Sequence, residues 1–264
     1  MKLRYYQVDA FANEIFSGNP AIVVEVKSWL DDQTLQNIAR ENSVDATAFF
    51  VVGESEIQLR WFTPDLELDL CGHATLAAAH VLKKELNYAK DSITFQTSAG
   101  LLYVEVEKDL YTLDMPSRKP VKTVLPEFIA QSLSKQPIEV LKARDYILVY
   151  GSENDVRDIQ IDQVSFNKGN IDPGGVAITA KGDRSDFVSR FFVPQATIFE
   201  DPVTGSAHAS LVPYWSEKLG KQELFAVQLS ERQGKLHCKD HKGRVLVSGH
   251  AITYSAGVLN ISLK

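Results

Sequence analysis

The sequence predicts an α+β protein of two like halves, each with short strands gathered around one buried helix. Three observations carry that reading. First, RWFTPDLELDLCGHATLAAAHV, beginning at Arg60, is echoed by RFFVPQATIFEDPVTGSAHASL, beginning at Arg190. Arg60, Phe62 and Pro64 precede Arg190, Phe192 and Pro194 by 130 residues, and Gly72 and Ala74 precede Gly205 and Ala207 by 133. In a chain of 264 residues that offset is about half the length, so each half holds a strand that leads through a glycine turn into a helix. Second, the helix beginning at Gly72 is apolar nearly all round at first (Leu76, Ala77, Ala78, Ala79, Val81, Leu82), the pattern of a helix buried on most sides. Third, the other apolar runs are short and closely spaced, which suits a strand meander better than a βαβ parallel sheet.

The elements follow in order. Residues 3–11 alternate as a strand, Gly18, Asn19 and Pro20 make a turn, and residues 21–26 are an apolar strand. Asp31 caps a helix that carries Leu35, Ile38 and Ala39 at helical spacing. Strands over 47–52 and 57–63 lead to the first central helix, residues 72–86. Strands over 92–97, 101–107 and 111–115, with a turn at Gly100, close the first half, residues 1–117. Residues 116–126 carry three prolines and several basic side chains and connect the halves. The second half, residues 118–264, repeats the plan. It has a helix over 126–134, a strand over 146–150, a short helix over 153–161 and strands over 175–180 and 187–193. The second central helix, 205–219, and strands over 224–230, 235–239 and 244–253 complete it.

Composition bounds the function. Apolar content of 44% and charged content of 23% are those of a soluble globular protein. A formal charge of −6 argues against nucleic acid or an anionic membrane as the main partner. No apolar run approaches the roughly 20 residues that span a bilayer. The N-terminal MKLRYYQVDAF alternates like a strand and lacks the apolar core of a signal peptide. Cys71 and Cys238 make no disulfide framework, so a cytoplasmic location is expected.

The two glycine turns are chemically useful. The first turn of a helix leaves N–H groups without intrahelical partners and carries partial positive charge. Gly72 and Gly205 let a ligand approach that backbone, and a carboxylate or phosphate is the natural guest. Facing each other, two such turns would form a two-sided anion clamp. The alternative is a pair of ordinary helix starts, capped by Thr204 and, poorly, by Cys71.

Gly18-Asn19-Pro20-Ala21, the block from Trp61 to Pro64 with Leu70-Cys71-Gly72-His73-Ala74-Thr75, and Asp201-Pro202-Val203-Thr204-Gly205-Ser206-Ala207 resemble the phenazine-biosynthesis (PhzF-like) isomerase family over essentially the whole chain. The resemblance implies a diaminopimelate epimerase-like fold, two similar domains each with a β-sheet rolled around a central helix, and an active site in the cleft between them. It also implies a cofactor-free enzyme, often a homodimer, that moves a proton on a small carboxylate-bearing substrate. The family's acid/base glutamate lies in a Ser-Glu-Thr-Ala-Phe-like segment, which here reads Ser43-Val44-Asp45-Ala46-Thr47-Ala48-Phe49. Without a gap the acid position falls on Ala46; with one inserted residue it falls on Asp45. A carboxylate beside an apolar strand would have the raised pKa that a proton shuttle needs, whereas its bland role is to cap the strand entry. His73 matches the family's histidine in the first turn, where an imidazole donates to a substrate carboxylate or relays a proton. Asp201 matches the aspartate ahead of the second turn, where it would orient an amino or hydroxyl group or, alternatively, cap the helix. Gly72, Gly205 and Ser206 would supply backbone donors to the substrate. His80 and His208 lie deeper along their helices and read as packing or surface residues.

Other chemistries fit less well. Cofactor-free racemases of this fold use one cysteine per half, and here Thr204 stands opposite Cys71. Asp69, Cys71 and His73 alternate like metal ligands, but at a strand-to-helix change where that geometry fails, so no metal is expected. No Walker loop, dinucleotide fingerprint or G-x-S-x-G context is present. Two readings stand: a proton-moving isomerase, or a non-catalytic protein that keeps the anion clamp and has lost the glutamate.

Overall fold

The computed structural model of the protein describes residues 1–53, 56–171 and 174–261, which leaves the last three residues of the expected second half outside it. The chain divides into two compact units.

The first unit comprises Met1–Asp114 together with the stretch from Ser248 on. Its elements are β1 (Lys2–Ala10), β2 (Asn19–Glu25), α1 (Asp32–Asn42), β3 (Ala46–Val52), β4 (Ile57–Phe62), β5 (Glu67–Leu68), α2 (Gly72–His80), β6 (Ser92–Thr97), β7 (Gly100–Glu107) and β8 (Leu110–Pro116). β1 and β2 form a hairpin, β2 runs parallel to β3, β3 is antiparallel to β4, and β4 runs parallel to β6. α2 packs against β1, β2 and β3 and is buried at every residue, as its all-round apolar sequence requires. α1 begins as expected, with Asp31 Oδ1 accepting the Thr34 amide at 2.9 Å.

Three expectations are corrected here. The helix expected over 72–86 is α-helical only to His80. Val81–Glu85 then form a π-helical turn, because the Leu86 amide reaches back five residues to the Val81 carbonyl at 3.0 Å. The strand expected over 244–253 is two strands, Arg244–Gly249 and Ala251–Asn260, broken at His250. Residues 118–264, expected as one half, divide. Ala251–Asn260 runs antiparallel along β1, Leu3 opposite Leu259 and Ala10 opposite Ala251, and so belongs to the first unit.

The second unit, Met115–Val247, contains β9 (Val121–Lys122), α3 (Glu127–Ser132), β10 (Glu139–Lys142), β11 (Tyr146–Val149), α4 (Glu153–Asp158) and α5 (Gln163–Phe166). β12 (Val176–Lys181), β13 (Phe187–Phe192), β14 (Glu200–Asp201), α6 (His208–Leu219), β15 (Glu223–Gln228), β16 (Gly234–His241) and β17 (Arg244–Gly249) follow. The order of the first unit recurs, with β12 antiparallel to β13 and β13 parallel to β15 around α6. The helix expected over 205–219 opens as a 3₁₀ turn, Gly205–Ala207, before α6. Pro213 sits inside α6 and cannot donate to the Ala209 carbonyl; the Arg118 amide does so at 2.8 Å. Trp215 stacks on Phe187, ring centroids 5.8 Å apart, and donates its indole N–H to Thr179 Oγ1 at 2.9 Å.

The repeated Arg-x-Phe-x-Pro has a physical cause. Arg60 Nε donates to Glu67 Oε1 at 2.7 Å, and Arg190 Nε donates to Glu200 Oε1 at 2.7 Å. Each guanidinium also binds the second carboxylate oxygen and lies over the phenylalanine two residues on, Phe62 and Phe192. The fork ties the strand to the short strand that leads into the glycine turn. Arg190 further donates to the Ile159 carbonyl just past α4 at 3.2 Å. Arg190→Met is therefore expected to lower stability by about 2 kcal/mol or more in chemical denaturation, and Arg190→Lys, which keeps the charge but not the fork, to restore only part of it.

Candidate active site

In the first unit the site begins at the β1–β2 hairpin. Gly18 has φ +68°, and a Cβ there would lie 2.2 Å from the Ala10 carbonyl oxygen, so the turn admits only glycine. The turn places Asn19, fully buried, at the head of β2. β2 pairs with β3 in parallel, Ala21 opposite Ala46, so the residue that enters β3 lies beside that head. That residue is Asp45. It is reached in two steps from Ser43, which ends α1 in the left-handed conformation at φ 53°. The Asn19 side chain hydrogen-bonds the Asp45 carboxyl group.

His73 stands in the first turn of α2, behind an extended Cys71 and ahead of the bond from the Thr75 amide to the Cys71 carbonyl at 3.1 Å. Its Nε2 lies 3.4 Å from Asp45 Oδ2, and the two side chains are 4% and 19% exposed. The Cys71 sulfur sits 3.5 Å from His73 Nδ1. Burial pushes the Asp45 carboxyl up to about 6, against the opposing bond from Asn19. The carboxylate thus exchanges its proton near neutral pH, next to an imidazole and the first-turn amides of a helix. Cys71 makes no side-chain cap, and Thr75 Oγ1 donates to its carbonyl at 2.6 Å. The neighbouring position, Ala46, is wholly buried inside β3.

In the second unit Asp201 ends β14, nearly buried. Thr204 donates its hydroxyl to Asp201 Oδ2 at 2.6 Å and makes no side-chain cap to the helix. Gln228, at the end of β15 and 1% exposed, braces both residues. Its amide nitrogen donates to the Asp201 carbonyl at 2.7 Å and to Thr204 Oγ1 at 3.2 Å, and its oxygen accepts the Thr204 amide at 2.8 Å. His208, wholly buried, donates from Nδ1 to the Thr204 carbonyl at 2.9 Å, so it holds the turn from behind. Gly205 is buried and Ser206 partly exposed at the head of the 3₁₀ turn. The structure thus groups Asp45, Gly72 and His73 in one unit, and Asp201, Gly205 and Ser206 in the other. Sequence reasoning missed Asn19 and Gln228 as site residues. Asn19 lies in a quoted motif but reads as a turn; a lone glutamine at a strand end carries no signal.

A family described as phenazine biosynthesis-like protein matches residues 8–257. An uncharacterized isomerase of Pseudomonas aeruginosa is 45% identical over 261 residues, 99% of this chain and 100% of that protein. The chain belongs to the phenazine biosynthesis-like family. It is an isomerase of that family by the same relationship. The crystal structure of a PhzF family phenazine biosynthesis protein from Enterococcus faecalis matches with a TM-score of 0.93 and 41% identity, covering 99% of this chain and 100% of that one. A hydroxyproline epimerase from Agrobacterium vitis, 8% identical, matches with a TM-score of 0.64 over 98% of this chain and 92% of its own. That likeness places the protein in the epimerase-like fold. Among the described residues no helix is long and apolar enough to cross a membrane.

Proposed function

We propose that the protein is a cofactor-independent isomerase that moves a proton on a small carboxylate-bearing substrate, an amino- or hydroxy-acid-like molecule, with Asp45 as the proton carrier. The observation that carries this reading is a desolvated carboxyl group, raised to about 6, 3.4 Å from His73 Nε2. A general base works best with a pKa near the operating pH, and burial supplies that shift here. Ionised Asp45 takes a proton from a substrate carbon and becomes the neutral acid. The electron pair moves into the adjoining unsaturated system, and the acid returns the proton to another carbon on the same face. Proton and charge balance with no cofactor. A contact of 3.4 Å is long for a hydrogen bond, and catalytic contacts of this kind tighten when substrate binds. His73 steadies the carboxylate or the developing charge. Within the first unit Gly72 offers a backbone donor to the substrate carboxylate; within the second, Gly205 and Ser206 are backbone donors suited to an anion, and Asp201 is an acceptor suited to an amino or hydroxyl group.

The test is incubation with small unsaturated amino and hydroxy acids in deuterated water. Deuterium uptake at carbon, catalytic in protein, is the expected result. Binding with no exchange across the panel would instead support a non-catalytic anion-binding protein. For any compound that exchanges, kcat/KM is expected to fall about tenfold per pH unit below pH 6, since the base form of Asp45 is lost there. A profile flat down to pH 4.5 would remove Asp45 from the role.

A further inference from the structure

At the opposite end of α2 from His73 lies a depression of about 600 Å³, lined by Ala12, His80, Lys84, Glu85, Ile252 and Thr253 among others. Its volume is that of small-molecule sites. A one-way chain of hydrogen bonds runs to its wall. The Thr253 hydroxyl has one proton and donates it to Glu85 Oε1 at 2.6 Å. Its oxygen therefore accepts from His80 Nε2 at 3.0 Å, which leaves Nδ1 to accept from the Tyr111 hydroxyl at 3.1 Å. Tyr111 is wholly buried, and burial holds His80 neutral, its pKa pushed down to about 4. Bonds that all point one way polarise each other, and this chain ends on the Glu85 carboxylate. The π-helical turn carries Glu85, and such turns recur at functional sites.

The fixed charges around the depression do not cancel. Lys84 Nζ is taken by Asp109 at 2.5 Å, and the His250 ring N–H donates to the Asp109 carbonyl at 2.9 Å. Glu85 keeps the Thr253 hydroxyl and has no cation among the described residues. Ala12, Ala251 and Ile252 supply apolar surface beside it. We propose that this depression is a second binding site, for a small organic ammonium ion, with the N–H donors on Glu85 and the apolar body against Ala12 and Ile252. It does not depend on the role given to Asp45.

Calorimetry on the full chain with three molecules of one shape tests it: phenethylammonium, 2-phenylethanol and phenylacetate. Saturable one-to-one binding of phenethylammonium is expected, with a Kd below about 1 mM, at least about tenfold weaker for the alcohol and absent for phenylacetate. Glu85→Gln keeps an acceptor for Thr253 and is expected to weaken the ammonium about tenfold or more. Lys84→Met removes a competing cation and is expected to tighten it. Asp45→Asn is expected to leave it unchanged. Phenylacetate binding as well as the ammonium, an unaffected Glu85→Gln, weaker binding in Lys84→Met, or loss in Asp45→Asn would each overturn the proposal.

Discussion

Asp45→Asn is expected to lower turnover by about 10² to 10⁴-fold, the usual loss for a positioned acid/base, and at the same time to stabilise the folded chain at neutral pH. Both effects come from one fact. Burial pushes the carboxyl group from its ordinary value near 3.8 up to about 6 in the folded chain. Between those values the folded chain holds a proton that the unfolded chain has released, so stability falls as pH rises from about 4 to 6 and stays lower above 6. Two pKa units correspond to at most about 3 kcal/mol. The amide is nearly isosteric with the neutral acid and has no charge to desolvate. Its stabilising effect is therefore expected above pH 6 and should vanish below pH 4, read from denaturation midpoints at several pH values. Activity lost with no gain in stability would mean that Asp45 is not held at a cost.

Gly18→Ala is expected to be the most destabilising small substitution near the site. The backbone there is left-handed, which a β-carbon disfavours by about 1 to 2 kcal/mol. The added carbon would also stand 2.2 Å from the Ala10 oxygen and 2.8 Å from Ala12 Cβ, contacts that only a backbone shift relieves, for roughly another 1 to 3 kcal/mol. A total loss of about 2 to 5 kcal/mol is expected in urea unfolding. The strand that must move begins at Asn19, which bonds Asp45, so a second signature should accompany the loss: less opposition to burial and a further rise in the acidic limb of the pH profile. A variant with wild-type stability would show that the hairpin tolerates a side chain.

Much of this was legible in the residues. The offset between Arg60-x-Phe62 and Arg190-x-Phe192 read correctly as a repeated unit, because each arginine makes the same local fork to a glutamate, seven residues on in the first copy and ten in the second. The burial of the first central helix followed from its all-round apolar sequence, and the second central helix from the repeat. The return of the last strand to β1 did not, since it joins residues nearly a whole chain apart and no local pattern encodes the pairing. The position of Asp45 stood one residue from ambiguity. Successive strand residues point to opposite faces, so a one-residue slip decides which side chain meets His73. The brace on Asp201 was invisible, because Gln228 differs from a solvated glutamine only in what folds over it.

The most direct test of the account needs no substrate. Carboxyl-labelled aspartate, followed by carbon NMR across pH 3 to 9 and assigned with Asp45→Asn, reads the ionisation of Asp45 itself. The account predicts a midpoint of about 6. A midpoint at or below the ordinary aspartate value of about 3.9 would contradict it, since a fully ionised carboxylate at that site could hold a ligand but could not carry a proton at neutral pH.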